Sequence, residues 1–128
     1  MFKANNYMIT IVDLKSYQAD ADWVFTDEER EELADFLAAN PHHGEIIPGT
    51  GGVRKIRWRA RGSGKRGGAR VIYYFRDLNM PVFLLAVYAK GEKLDLTQKE
   101  RDAMRHIVSE LVDEYHAGLH VVRGKSSA

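Results

Sequence analysis

Hydrophobic and polar residues follow a period of two in the middle of the chain, which predicts strands. Val53–Ala60 alternates, as is typical of a half-buried strand. Ala69–Arg76 is dense in β-branched and aromatic residues and predicts a second strand. Pro81–Ala89 is almost continuously apolar, which predicts a central strand covered on both faces. Short connections between these three strands favour an antiparallel meander.

A first strand and helices complete the predicted order. Tyr7–Val12 is rich in β-formers and predicts a short first strand. Ser16–Trp23 is ambiguous, and a short helix is one interpretation of it. Capping-box patterns at Thr26–Glu29 and Thr97–Glu100 predict two helix starts, the first helix ending near Asn40 before a proline. The second helix carries an apolar stripe at helical spacing: Met104, Ile107, Val108, Leu111, Val112 and Tyr115.

This order predicts an α+β fold, with an antiparallel sheet of the N-terminal strand and the meander, and helices packed on one face. The 128 residues suit a single domain over 1–128, with Gly124–Ala128 as a disordered tail. Cysteine is absent, which excludes disulfides and thiolate zinc sites and fits a reducing cytoplasm. No apolar run approaches the ~20 residues that span a bilayer, so we expect a cytoplasmic protein without membrane contact.

Charge is segregated along the chain although the formal net charge is only +1. Acidic residues gather in Asp20–Asp35, whereas Gly52–Arg76 has none. The cations of that second stretch are Arg54, Lys55, Arg57, Arg59, Arg61, Lys65, Arg66, Arg70 and Arg76. Such a block predicts a local anionic partner, and the alternative is an ordinary solvated face.

Strand alternation gives this basic stretch an expected geometry. Lys55, Arg57 and Arg59 fall on the outer face with Val53, about 7 Å from one to the next, and Arg54 falls on the other face. Arginine forks match phosphate oxygens, and fixed cations stabilise charge that develops in a transition state. These residue types permit RNA cleavage and equally permit plain nucleic-acid binding.

The sequence does not favour a nucleotide-binding phosphate loop or a metal site. Gly64-Lys65 lacks the Ser or Thr and the first Gly of a phosphate-binding loop. His42 and His43 are adjacent and have no acidic partner at metal-ligand spacing. We therefore expect no metal site and no cofactor.

Three motifs in fixed order resemble the HigB/RelE superfamily of toxins. Gly49–Arg57 is similar to the family's GTGGLRKIR, Gly64–Phe75 to its GKRGG-[SA]-R-[VI]-IYY, and Phe83–Glu92 to its FLL-x-x-Y-x-K-x-E. The resemblance covers about Pro48 to Tyr115. It implies a small α+β toxin of a type II toxin–antitoxin pair, a metal-independent endoribonuclease (mRNA interferase). Its expected partners are messenger RNA in the ribosomal A site and an antitoxin, often with a helix-turn-helix DNA-binding domain.

The resemblance also implies the site residues. The catalytic set is Lys55, Arg57, Arg70 and Lys90, acting on a phosphate attacked by the 2′-hydroxyl. The RNA-binding set is Arg54, Arg59, Lys65, Arg66, Tyr74 and Tyr88, with Tyr73 as the alternative to Tyr74. The sequence departs from the best-studied pattern, which has an arginine soon after the last strand and a tyrosine near the C-terminus. Gly91 and Lys93 stand in the region of that arginine. Tyr115 falls on the helix stripe and is no clear match to that tyrosine. The second interpretation is therefore a non-catalytic nucleic-acid- or antitoxin-binding module of the same fold.

Overall fold

The structure, a computed structural model, describes residues 9–61, 68–89, 91 and 95–125, with side chains as far as His116. Along the chain its elements are β1 (Ile11–Asp13), α1 (Lys15–Val24), α2 (Asp27–Ala39), β2 (Glu45–Ile46), β3 (Val53–Trp58), β4 (Ala69–Tyr74), β5 (Val82–Ala89) and α3 (Gln98–Lys125). The strands form one sheet in the order β1-β5-β4-β3-β2. The predicted α+β class is confirmed.

The predicted meander is present, but the sheet as a whole is mixed. β3, β4 and β5 pair antiparallel in sequence order. β1 pairs with β5 in parallel, Ile11 lying opposite Val82. A tight turn can join only antiparallel neighbours, whereas β1 and β5 are separated by helices and the rest of the sheet. β2 adds a fifth strand that the sequence did not predict, because its two residues are too few to display a periodic pattern.

The sheet separates two hydrophobic clusters, because neighbouring residues of β4 point to opposite faces. Val71 and Tyr73 pack with α1 and α2. Ile72 and Tyr74 pack beneath α3. Helices on one face were expected, and that holds for α1 and α2 but not for α3. The reason is that β4 and β5 are apolar at successive positions, so both faces require cover.

Both predicted capping boxes are confirmed. The Thr26 hydroxyl accepts from Glu29 N at 3.1 Å, and the Glu29 carboxylate accepts from Thr26 N at 2.9 Å. Thr97 and Glu100 form the same pair of bonds at the start of α3, at 2.9 and 3.1 Å. α2 ends at Ala39, as predicted. α3 is described as far as Lys125, and the tail from Gly124 stays a prediction because most of it lies outside the described residues.

The glycine-rich run before β3 is a structural clamp. Gly49, Gly51 and Gly52 all have positive φ, which other residues rarely adopt. Thr50 between them is fully buried; its hydroxyl donates to Ile47 O at 2.6 Å and accepts from Val53 N at 3.1 Å. Arg105 of α3 donates to Gly49 O at 3.0 Å. The run therefore fixes where β3 begins and ties that end of the strand to α3.

Candidate nucleic-acid interface

Polar side chains from the three meander strands form a row on the α3 face of the sheet. Arg57 of β3 lies directly opposite Arg70 of β4, and Arg70 lies opposite Tyr88 of β5. Directly opposed residues share a face, and Lys55 joins them because it is two residues from Arg57. Two like charges in direct cross-strand contact repel each other. The sheet therefore holds a cationic pair that an anion would stabilise.

The segment leading into α3 brings a carboxylate and a further cation to this face. Asp95 Oδ1 lies 3.7 Å from Lys55 Nζ, and Asp95 Oδ2 lies 3.6 Å from an Arg101 guanidinium nitrogen. The Leu96 N–H donates to Asp95 Oδ1 at 2.8 Å. This hydrogen bond is the largest cause of the lowered pKa of Asp95; burial opposes it, and the charges of Lys55 and Arg101 lower the pKa further. We call Lys55, Arg57, Arg70 and Arg101 the cationic cluster, with Asp95 as its counter-ion.

Two guanidinium groups of the cationic cluster carry buried N–H groups that have no acceptor. These are Arg70 Nη1 and Arg101 Nε, for which the described residues supply no hydrogen-bond partner. A buried donor without a partner costs free energy, roughly 1–3 kcal/mol and more when charged. Phosphate oxygens match the geometry of a guanidinium fork. The cluster is therefore chemically suited to bind a phosphate.

Tyr88 stands at the β5 end of the row as a protonated phenol. Burial raises its pKa above the ordinary 10.0; the charges of Asp95 and Glu100 add to this, and Arg70 opposes it. At neutral pH the hydroxyl therefore donates a hydrogen bond and does not act as a base. Only 5% of the residue is exposed, which leaves little ring surface for stacking in this conformation. Its predicted contact with RNA stays a prediction.

Three further arginines of the basic stretch, Arg54, Arg59 and Arg61, lie toward the α1 and α2 side of the sheet. Arg54 Nη1 donates to His42 O at 3.0 Å and to Gly44 O at 2.7 Å. Arg59 lies 3.5 Å from a Glu32 carboxylate oxygen of α2. Arg61, with φ 42°, donates to backbone carbonyls of α1. The expected outward row of three cations is thus wrong at Arg59, because β3 ends at Trp58 and the alternation ends with it.

The two tyrosines of β4 lie on opposite faces of the sheet. Tyr73 lies on the α1 and α2 side, where its hydroxyl accepts from Gly44 N and donates to Pro41 O, both at 2.8 Å. Tyr74 lies on the α3 face but four residues from Arg70, roughly 13 Å along the strand. Tyr74 therefore shares the face of the cationic cluster without adjoining it, and its binding role stays a prediction.

Part of the predicted site lies outside the described residues, namely Lys65, Arg66 and Lys90, as does Lys93. Conversely, neither Asp95 nor Arg101 was predicted from the sequence. Arg101 had a signal, because it stands one helical turn before Met104 on the apolar stripe and so faces the sheet.

The fold is thus a small α+β architecture with a cationic cluster on one face of its sheet. Residues 42–126 match the family described as RelE toxin of the RelE/RelB toxin–antitoxin system. This match spans about two thirds of the chain, so the chain belongs to the RelE toxin family. It is a toxin of that kind, and the family implies an antitoxin partner. The match includes every residue of the cationic cluster.

Among the described residues, no helix is both long and apolar enough to cross a membrane. The described histidine, aspartate and glutamate side chains form no group of three that could hold a metal ion.

Proposed function

We propose that this toxin is a ribosome-dependent messenger RNA endoribonuclease. The observation that carries the proposal is the opposed pair Arg57 and Arg70, with the buried, unpaired Nη1 of Arg70. In the proposed reaction the 2′-oxygen attacks the neighbouring phosphorus, and the bond to the 5′-oxygen breaks. The products are a 2′,3′-cyclic phosphate and a 5′-hydroxyl, so one proton leaves the 2′-oxygen and one is taken up by the 5′-oxygen.

The side chains divide this work according to charge. Arg57 and Arg70 stabilise the extra negative charge of the five-coordinate phosphorus, where fixed donors act most strongly. Lys55, held near Asp95, adds a third cation at the same face. Tyr88 stays protonated at neutral pH and can donate a hydrogen bond to the leaving oxygen or to a phosphate oxygen. Lys90 follows Tyr88 by two residues and stays a candidate catalytic residue.

The finer expectations of the family resemblance belong to this proposal. We propose that the chain is of the HigB-like branch and acts in the cytoplasm on messenger RNA in the ribosomal A site. Its antitoxin would carry a helix-turn-helix DNA-binding domain. Lys65 and Arg66, between β3 and β4, would contact the RNA backbone. A short helix-turn-helix reading frame beside the gene would support the pairing.

The first test is induction of the chain in a bacterium, with messenger 5′ ends mapped by primer extension. We expect growth arrest and new in-frame ends with the wild type. Arg70→Ala should reduce those ends about 100-fold or more, in line with the loss of one donor to a developing charge. Arg76→Ala is the matched control, since Arg76 is exposed two residues beyond the end of β4 and pairs with Asp77.

The outcomes separate the two interpretations. In-frame ends that disappear with Arg70→Ala and persist with Arg76→Ala support the enzyme. Arrest without new ends would instead favour the non-catalytic binding module. New ends that survive Arg70→Ala would remove the cationic cluster from the chemistry.

A further inference from the structure

Arg101 lies in the cationic cluster with a buried N–H group, its Nε, that makes no hydrogen bond within the described residues. One terminal nitrogen lies 3.6 Å from Asp95, and 30% of the side chain is exposed. A surface ion pair at this distance contributes little to stability, which leaves the buried donor uncompensated. Arg105, which anchors α3, donates hydrogen bonds to Gly49 O and to Asp102, whereas the acidic partner of Arg101 is the more distant Asp95 carboxylate.

The Asp95 carboxylate lies near two cations, as a bound phosphate group would. Its two oxygens approach cations from different elements, Lys55 of β3 and Arg101 of α3. Both separations exceed hydrogen-bond length, so each cation keeps donors for another acceptor. The carboxylate itself is fixed by the Leu96 N–H and is about half exposed. An anion that reaches this face therefore meets two cations whose heads are already gathered but only loosely engaged.

We infer that Arg101 is an RNA phosphate-binding residue of this site and that Asp95 is its resident counter-ion, which an RNA phosphate replaces as the partner of Arg101 and Lys55. The inference rests on the proposed function, because it adds a residue to the same RNA site. It extends that site from the sheet to the first turns of α3. The bound backbone would therefore run between the meander and the start of the helix.

The test is the salt dependence of binding to a labelled single-stranded RNA with 2′-O-methyl sugars, which lacks the attacking hydroxyl. Each phosphate contact to a single strand contributes about 0.7 to the slope of log affinity against log salt. Arg101→Ala should lower that slope by about 0.7 and weaken binding at low salt. Lys99→Ala is the matched control, since it removes a cation two residues away on the exposed side of α3. It should leave the slope unchanged.

Two more variants separate binding from folding and from the counter-ion role. Arg101→Lys should keep the slope while binding more weakly, because the charge stays and the fork is lost. Asp95→Asn should bind RNA several-fold more tightly, because it keeps the acceptor for Leu96 N and removes a repelling charge. Thermal melting of each variant reports whether the fold is intact.

Equal slopes for the wild type and a folded Arg101→Ala variant would overturn the inference, as would weaker binding by a folded Asp95→Asn variant. A wild type whose affinity does not depend on salt would overturn it too. None of these results bears on the messenger ends mapped in cells, which test the proposed function separately. Cleavage in cells with an unchanged Arg101→Ala slope leaves the enzyme standing and removes Arg101 from its site.

Discussion

Single residues of one type serve different purposes on the two faces of the sheet. Arg54 and Arg61 donate to backbone carbonyls, although Arg54 Nε is itself buried without an acceptor among the described residues. Arg70 Nη1 and Arg101 Nε also have no such acceptor, and both belong to the cationic cluster. The tyrosines divide in the same way. Tyr73 closes a hydrogen-bonded loop on the α1 and α2 side, and Tyr88 lies beside Arg70. Residue type alone did not distinguish a structural role from a functional one.

Tyr73→Phe tests the structural role at this scale. Removing the hydroxyl leaves Gly44 N and Pro41 O without their partner, so we expect a loss of about 1–3 kcal/mol in the free energy of unfolding. Urea denaturation measures this, with an unchanged slope indicating that the folded state is intact. Tyr74→Phe is the control, with an expected loss below about 0.5 kcal/mol. Equal losses in the two variants would contradict the assignment of Tyr73 as the hydrogen-bonded tyrosine.

At the scale of elements, the end of β3 decides which cations belong together. Alternation predicted a strand through Ala60, but pairing with β4 ends at Trp58 opposite Ala69. Arg57 is therefore the last residue of the strand that faces α3, and Arg59 lies against Glu32 of α2. A difference of two residues in the length of a strand moves one cation from the candidate site to the opposite side of the sheet.

Arg57→Ala and Arg59→Ala test this division. Both substitutions remove one positive charge from the same stretch of chain. We expect Arg57→Ala to reduce messenger cleavage about 100-fold, as for a donor to the developing charge, and Arg59→Ala to reduce it less than about threefold. Primer extension after induction measures both. If Arg59→Ala were as damaging as Arg57→Ala, the outward row predicted from the sequence would be the better description.

The elements that local sequence determines were predicted closely, and those that depend on packing were not. The Thr26 and Thr97 capping boxes are contacts between residues three apart, so the sequence specifies them. The parallel direction of β1 and the placement of α3 depend on partners far away in the chain. Periodicity placed Lys55 and Arg57 on one face and the family resemblance supplied Arg70, whereas Asp95 and Arg101 join them only because α3 crosses that face.

Across the whole molecule, the two faces of the sheet differ in how their cations are paired. The acidic α1 and α2 side holds Arg59 and Arg61 through a carboxylate and backbone oxygens. On the α3 side, Asp95 lies near Lys55 and Arg101 of the cationic cluster. The formal net charge of +1 therefore conceals a face suited to RNA. The same sheet buries tyrosines on both sides, which links the stability of the whole domain to alkaline pH.

Alkaline unfolding is the expected outcome of that arrangement. Burial raises the pKa of Tyr17 and Tyr73 in one cluster and of Tyr74 and Tyr88 in the other above the ordinary 10.0. A phenol whose pKa is higher in the folded state than in the unfolded state stabilises the fold fully below pH 10. That contribution is lost as the pH rises above 10 toward the folded-state value.

The free energy of unfolding should therefore change little from these tyrosines between pH 7 and 9 and fall above pH 10. Urea denaturation at pH 7, 9 and 10.5 measures the fall, and the absorbance of ionised tyrosine should increase together with unfolding. Tyr73→Phe should show a shallower fall than the wild type, because one raised group is gone. Ionisation of all six tyrosines at pH 10.5 without any loss of stability would mean that these phenols are not held in the folded core. The two-sided packing of the sheet would then have to be revised.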